Sequence, residues 1–418
     1  MTTETDEYLV HRLTDDTFAD IEAVGPIGWV ELPDGLRAVM VTDYALIKKI
    51  GVHKDISRDG AQHWAALRAG EVPQTSLTVP WVTNAGPLSA YGTEHRRLRK
   101  LMTPAFTKRR IDKLRPAIEK IVMDTLGEIE RKRDIEQGTK AWYKLGRGKS
   151  APLQLDLREE FCFPVPIATI SALLGVDDDL FPTIRAGADA LFDTAITPDV
   201  LAERFMGLLG AIEELIGRKR ATPDDSLISS LIASNEGGDT YTPEEISEVV
   251  RITIVAGYET TVNLLDQCVF LLLTHPEHLE SVLLGDLSWD DVIDEVLRHS
   301  SPANVVPMRF ATKDITLGGL PISAGTPILV SFAGAGRDPK IHNRADEFDP
   351  SRVKKDHLGF GTGVHRCPGA PLAVLEARIA LPYLFDRFRL ELVESPSTIA
   401  PNPGIITNGH SRLLVKLT

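Results

Sequence analysis

Cysteine is scarce. Three thiols in 418 residues, Cys162, Cys268 and Cys367, are too few and too scattered for a disulfide framework or a structural zinc site. A reducing cytoplasm is therefore the expected location. Long hydrophobic runs are missing as well. The longest, Cys268 to Leu273, falls far short of the roughly 18 residues a membrane span needs. The opening MTTETDEYLVHRL lacks the charged-then-apolar pattern of a secretory leader, so no membrane association is expected. Positive charge is in deficit: 46 Lys+Arg against 59 Asp+Glu leave a net −13. That balance argues against a nucleic-acid partner, because Lys and Arg carry phosphate binding. Repeats, low-complexity tracts and Gly/Ser linkers are also absent. One continuous domain over 1–418 is expected, although length alone would allow two to four.

What is present is a core-forming composition, 43% hydrophobic and 25% charged, which excludes a disordered or fibrous chain. Most segments read as amphipathic helices punctuated by Pro and Gly. Thr242-Pro243-Glu244-Glu245 is a helix start, with Thr as N-cap, Pro in the first turn and Glu three residues after the cap. The apolar pattern continues to Leu273 and stops before Pro276, which makes a helix long enough to cross the core. A second helix starts at Ser288 and ends before Ser301-Pro302, and a last one follows Gly369 towards Phe388. Strand signals concentrate between them, over Arg309 to Leu317 and Thr326 to Phe332, with a final excursion from Ile405. The fold class expected is mainly α with one small β region. The polar stretch from Arg131 to Ala151 reads as a surface loop. His95 to Arg110, HRRLRKLMTPAFTKRR, is a basic run inside an acidic chain.

The most specific stretch is Phe360-Gly361-Thr362-Gly363-Val364-His365-Arg366-Cys367-Pro368-Gly369. Its glycines permit tight turns close to a flat ligand. A helix beginning just past Cys367 would aim unpaired N–H groups at the sulfur and lower the thiol's pKa. The expectation is a stabilised thiolate presented to a large cofactor.

This pattern resembles the haem-ligand loop of the cytochrome P450 family, F-G-x-G-x-H-x-C-x-G, with every fixed position filled. The resemblance implies the P450 fold, with haem b between a long central helix and the cysteine loop, and Cys367 as the metal ligand. Three further stretches carry it, so that it covers the chain from His95 onward. Glu295-Val296-Leu297-Arg298 and Phe348-Asp349-Pro350-Ser351-Arg352 match the family's buried E-x-x-R pair and its second arginine, here read as structural supports. Ala256-Gly257-Tyr258-Glu259-Thr260-Thr261 matches its oxygen-side motif. The small Ala256-Gly257 pair would admit the ring, and Glu259 and Thr260 would be the catalytic acid–alcohol pair that relays protons. Tyr258 stands where many relatives carry His, a departure expected to bear on substrate fit. His95 and Arg99 match an H-x-x-x-R motif and, with Arg309 and His365, would bind the haem propionates, while Phe360 opens the ligand loop.

The implied activity is that of a monooxygenase, using O₂ and two electrons to hydroxylate a mid-sized hydrophobic molecule such as a steroid, terpenoid or polyketide. Two alternatives accompany it: oxidative coupling of aromatic rings by the same machinery, and a catalytically silent partner protein. Separate ferredoxin and ferredoxin-reductase proteins are the expected electron donors, and the basic run is expected to guide docking through Arg96, Arg97 and Lys100. Pocket walls are expected from Trp64 to Leu88, Ala188 to Met206, Tyr258, Ala303 to Val306 and Ile405 to Thr407.

Overall fold

The structure is a computed structural model that describes residues 10–12, 21, 23–32, 35–72, 79–83, 86–143, 153–192, 196–234, 238–402 and 405–417. Its principal helices, in chain order, are α1 (Gly92–Met102), α2 (Arg115–Tyr143), α3 (Pro164–Leu174), α4 (Phe181–Ala190), α5 (Pro198–Ala221), α6 (Pro243–Thr274), α7 (Trp289–His299) and α8 (Ala370–Arg387). Among the described residues no helix is long and apolar enough to cross a membrane.

Helix α6 forms as its sequence dictates. The Thr242 hydroxyl accepts from the Glu245 N–H while the Glu245 carboxylate accepts from the Thr242 N–H, a reciprocal cap on two orphan donors. The helix runs about 48 Å at 1.5 Å per residue and stops at His275, ahead of Pro276. Nearly all of its length is buried, because α3, α5, α7 and α8 pack around it. Helix α7 repeats the device, with Ser288 and Asp291 as its capping pair.

The β structure is larger than expected and draws on both ends of the chain. A six-stranded sheet has the order β1-β2-β3-β9-β6-β4: Val10–Arg12, Ile27–Glu31, Arg37–Val41, Pro327–Ser331, Val305–Ala311 and Ile56–Ser57. The amino-terminal strands escaped sequence reading because they are two to five residues long and gain their partners from residues nearly 300 positions away, as in the pairing of Val39 with Ile328. Strand β5 (Leu153–Asp156) joins β10 (Leu390–Leu392) and β11 (Leu414–Leu417) in a second sheet, and β7 (Ile315–Leu317) pairs with β8 (Leu320–Ile322). The reading of 131–151 as a loop is also corrected over residues 131–143. Helix α2 continues to Tyr143, extended by i,i+3 and i,i+4 charge patterning such as Arg131 with Glu128; residues 144–152 lie outside the described residues.

One buried ion network fixes the approach to the cysteine loop. Arg298 meets Glu295 through two bonds, Nε to Oε2 at 2.8 Å and Nη2 to Oε1 at 2.6 Å, with neither residue exposed. Its remaining donors reach the carbonyls of Gly336, Ala345 and Glu347. Arg352 donates to Glu295 Oε1 at 3.4 Å and to Asn343 O at 2.6 Å, and the Asp349 N–H closes the same oxygen at 2.9 Å. Any side chain at Gly336 would collide with the Arg298 carbonyl. Removing one partner leaves a buried charge uncompensated. Glu295→Ala is expected to lose about 3–5 kcal/mol in urea denaturation, whereas Lys108→Ala, which breaks an exposed pair with Asp112, should lose under about 1 kcal/mol.

Candidate active site

The cysteine loop is set by two left-handed glycines, Gly361 (φ 70°) and Gly363 (φ 68°). A Cβ at Gly363 would also strike the Gly51 carbonyl, so no other residue fits there. A 3₁₀ turn over Gly363–His365 follows, the Cys367 N–H donates to Phe360 O at 2.8 Å, and α8 begins at Ala370. Of the three cysteines only Cys367 faces a cavity; Cys162 and Cys268 are sealed in the core. Cys367 is exposed to the cavity, and desolvation by the protein around it pushes the thiol above its ordinary range. The N–H groups of Gly369 and Ala370, then Arg99 and Arg366, pull it down without cancelling that rise. The expected lowering by the helix start is therefore present but outweighed. A cation bound at the sulfur would reverse the balance, since a metal-coordinated thiol is deprotonated outright.

The cavity, about 270 Å³, lies between this loop and α6. Along α6 its wall is Ile252, Thr253, Ala256, Gly257, Thr260, Thr261 and Leu264, the three- and four-residue spacing of one helical face. Gly257 is small for a second reason: a Cβ there would lie 2.7 Å from Ile170 Cδ1, so α3 packs directly on the α6 backbone. The Thr260 hydroxyl donates to Ala256 O at 2.7 Å, leaving its oxygen as an acceptor. Glu259 is buried behind this wall, bonded by Arg158 Nη2 at 3.1 Å and Asn263 Nδ2 at 3.0 Å. Burial raises its carboxyl to about 7 against the pull of Arg158 and Asn263.

Two residues from Ala256, Tyr258 is turned roughly 200° around the helix. It is fully buried, packs on Phe163 and donates to Asp189, and it does not line the cavity. The expectation that it shapes substrate fit is thereby overturned. Of the other expected walls, Leu88, Ala303 and Val306 line the cavity. Trp64 instead stacks on Phe310 in the core, and neither the described residues of 188–206 nor Ile405 to Thr407 take part; 73–78, 84–85 and 193–195 lie outside the described residues.

One end of the cavity is strongly basic. Arg58, Arg99, Arg309 and His365 line it, and His95 lies against His365 with ring centroids 4.0 Å apart. Arg309 Nη1 and His95 Nε2 are buried polar atoms without a protein partner. Burial lowers Arg309 to about 10 and, reinforced by Arg99, Arg58 and Arg96, lowers His95 to about 4. The imidazoles are thus neutral, and the three arginines gathered here suit an anionic ligand. A flat group with carboxylates at one edge and a metal over Cys367 fits this donor set. Arg58 escaped sequence reading because its place depends on the two-residue strand β4, whose Ser57 pairs with Phe310 and so brings Arg58 beside Arg309. Of the ten residues expected here, eight line the cavity, while His95 and Glu259 sit one layer behind it.

A second missed residue is Glu376 of α8. It lines the same cavity, is fully buried, and neither carboxyl oxygen has a protein partner. Burial alone pushes its carboxyl well above the usual range.

Comparison with known proteins gives a consistent result. Residues 289–416 match the family model described as Cytochrome P450. The chain is 35% identical to 2-hydroxy-5-methyl-1-naphthoate 7-hydroxylase of Streptomyces carzinostaticus, over 96% of this chain and 94% of that protein. It is 32% identical to vitamin D(3) 25-hydroxylase of Pseudonocardia autotrophica, over 96% and 93%. The solved structure of CYP154A1 from Streptomyces coelicolor A3(2) superposes with a TM-score of 0.86 at 39% identity, over 98% of this chain and all of that one.

Glu376 gives a prediction independent of any ligand chemistry. Its folded-state pKa lies above the unfolded value, so the unfolded chain releases a proton that the folded chain keeps. Stability then falls as pH rises above the unfolded value of about 4.3. Glu376→Gln cannot ionise in either state and should lose less stability than the native chain between about pH 5 and pH 8. Parallel stability curves in chemical denaturation would contradict this.

Proposed function

The chain belongs to the cytochrome P450 family and is a haem monooxygenase, and on that premise we propose roles for its site residues, its substrate class and its electron donor. The observation that carries the reading is a lone cavity-facing thiol opposite Thr260, with three arginines at one edge and the buried Arg309 Nη1 among them without a protein partner. Haem b, when bound, supplies the iron at which O₂ is activated with two electrons. Cys367 would ligate that iron. Arg58, Arg99, Arg309 and His365 would hold the propionates, with His95 backing His365.

Thr260 and Glu259 divide the proton work. The Thr260 proton is committed to Ala256 O, so its oxygen offers the cavity an acceptor that orients a protonated ligand. Glu259, with a carboxyl at about 7, is both protonated and replenishable near neutral pH, which suits a general acid. The α6 face of the cavity is apolar apart from threonine hydroxyls, and Pro87, Leu88, Ala303 and Val306 continue the apolar wall. A mid-sized hydrophobic substrate follows, in keeping with the naphthoate and vitamin D hydroxylases among the relatives.

Among the described residues one large apolar cluster reaches from Ile21 to Leu417 beside a smaller one at the six-stranded sheet, and the reach of the larger supports one catalytic domain over 1–418. For electron supply the proposal is a separate small acidic ferredoxin with its reductase, in the cytoplasm. Support comes from the surface beside the cysteine loop. Arg99 Nη2 donates to Arg366 O at 2.8 Å, which sets α1 against the loop, and Arg96, Lys100 and Arg366 are exposed there. Arg97 leaves the expected docking set, because Glu94 and Glu245 engage it.

Three measurements test these roles. The reduced, carbon-monoxide-bound protein should show the strongly red-shifted Soret band of thiolate ligation, and Cys367→Ala should lose it; persistence in that variant refutes the ligand assignment. Thr260→Ala should keep that band but lower product formed per reducing equivalent by roughly tenfold or more. Arg96→Glu with Lys100→Glu should slow reduction by an acidic ferredoxin roughly tenfold at low salt. Unchanged reduction rates would rule out the docking surface.

A further inference from the structure

Tyr258 points away from the cavity, yet it ends on a charged group. Its buried hydroxyl donates to Asp189 Oδ1 near the end of α4. Asp189 Oδ2 lies 3.5 Å from Arg185 Nε, and Arg185 also approaches Glu159 at 3.5 Å. The Phe163 ring touches both this cluster and the arginine that holds Glu259. Arg158, the partner of Glu259, lies over that ring at 4.9 Å, and Arg185, the partner of Asp189, lies over it at 5.4 Å. Two acid–arginine pairs thus meet at one aromatic ring, with Tyr258 packed against the same ring. The inner pair is sealed: the Glu259 and Arg158 side chains are 6% and 4% exposed. Asp189 is 34% exposed and reaches solvent.

We propose that Asp189, held by the Tyr258 hydroxyl, is a positioning acid that sets the proton affinity of Glu259 from the solvent side. This rests on the reading of Glu259 as the proton-delivering acid. The charged and titratable groups around the two carboxyls are few. Asp189 is faced by Arg185 on its own helix, Glu159 before α3, Arg204 on α5, and Tyr258 and Glu259 on α6. Glu259 is faced by Arg158, Asn263 and Asp189, and Arg158 lies 3.9 Å from Asp266 on its far side. Burial lifts Asp189 to about 6, with Arg185 opposing, and the Asp189 charge in turn raises Glu259. Near neutral pH the outer acid is mostly ionised while the inner one is about half protonated. The hydroxyl of Tyr258 favours that division, because a donor to a carboxylate stabilises its charged form.

The test is an infrared pH titration of the haem-loaded protein, with the Glu259 carboxylic-acid band assigned by its loss in Glu259→Gln. The band should titrate near pH 7 in the native protein. Asp189→Asn removes the charge that raises Glu259 and should lower that midpoint by about one pH unit. Asp189→Glu should restore it in part. Tyr258→Phe should raise the Asp189 midpoint, because the charged form loses its donor. The pH above which product per reducing equivalent falls should move down with the Glu259 midpoint in Asp189→Asn. An unmoved Glu259 band in Asp189→Asn overturns the proposal. If the band moves but Glu259→Gln leaves coupling unchanged, the electrostatic link stands and the proton-delivery role of Glu259 fails instead.

Discussion

The bidentate pair between Glu295 and Arg298 is the constraint from which the rest of the site hangs. Taking both groups out of water is expensive, and the structure offsets that expense by using every remaining donor of Arg298 on a backbone carbonyl. Those carbonyls belong to the 336–347 segment, and Arg352 and the Asp349 N–H add a third anchor. The next stretch of chain is the cysteine loop itself, and Gly359 packs against the Leu297 backbone one residue before Arg298. Helix α7 therefore holds both the segment that leads to Cys367 and the start of its loop. Hydrophobic contacts of similar area would tolerate sliding, whereas a network of directed bonds admits one arrangement.

That dependence explains which parts of the site were legible in sequence. Capping boxes at Thr242 and Ser288, the i,i+3 ion pair on α7 and the glycine pattern around Cys367 are local, and local spacing fixes their geometry. The features that escaped reading are non-local. Arg58 joins the basic end only because a two-residue strand pairs with Phe310. Glu376 looks like one more charge on a helix until tertiary packing seals both its oxygens. Tyr258 was misread for a related reason: its position in a motif says nothing about direction, and direction on a helix turns by 100° per residue. Gly257 was read correctly as small and for an incomplete reason, since α3 as well as the cavity requires it.

An acidic chain of net −13 has placed cations at the cavity edge and driven several carboxyls towards neutrality. Glu259, Asp189 and Glu376 are all raised chiefly by burial, and each has a different local remedy. Glu259 has an arginine and an amide, Asp189 has a tyrosine hydroxyl and a half-exposed arginine, and Glu376 has no protein partner. The gradation from sealed and neutral to exposed and ionised is what a protein needs if protons are to be held in one place and exchanged in another.

Helix α6 makes that separation possible by its periodicity alone. The residues that wall the cavity recur at three- and four-residue intervals, and those positions are apolar or hydroxyl-bearing. Tyr258, Glu259, Asn263 and Asp266 lie off that face and carry the polar groups of the helix. One face can then stay dry enough to bind a hydrophobic substrate while the other keeps charge, arginine partners and a path to solvent. Thr260 and Glu259 are neighbours in sequence but belong to different faces, with one helix edge between them. That edge bears the Gly257 carbonyl, which already accepts from Thr261 at 3.1 Å, and the Ala256 carbonyl, which accepts from Thr260. With both hydroxyls turned back onto the helix, neither competes with Arg158 and Asn263 for the Glu259 carboxylate. The partners of Glu259 thus lie at the rear of the helix, where burial, Arg158 and Asn263 act on its carboxyl first and Asp189 after them.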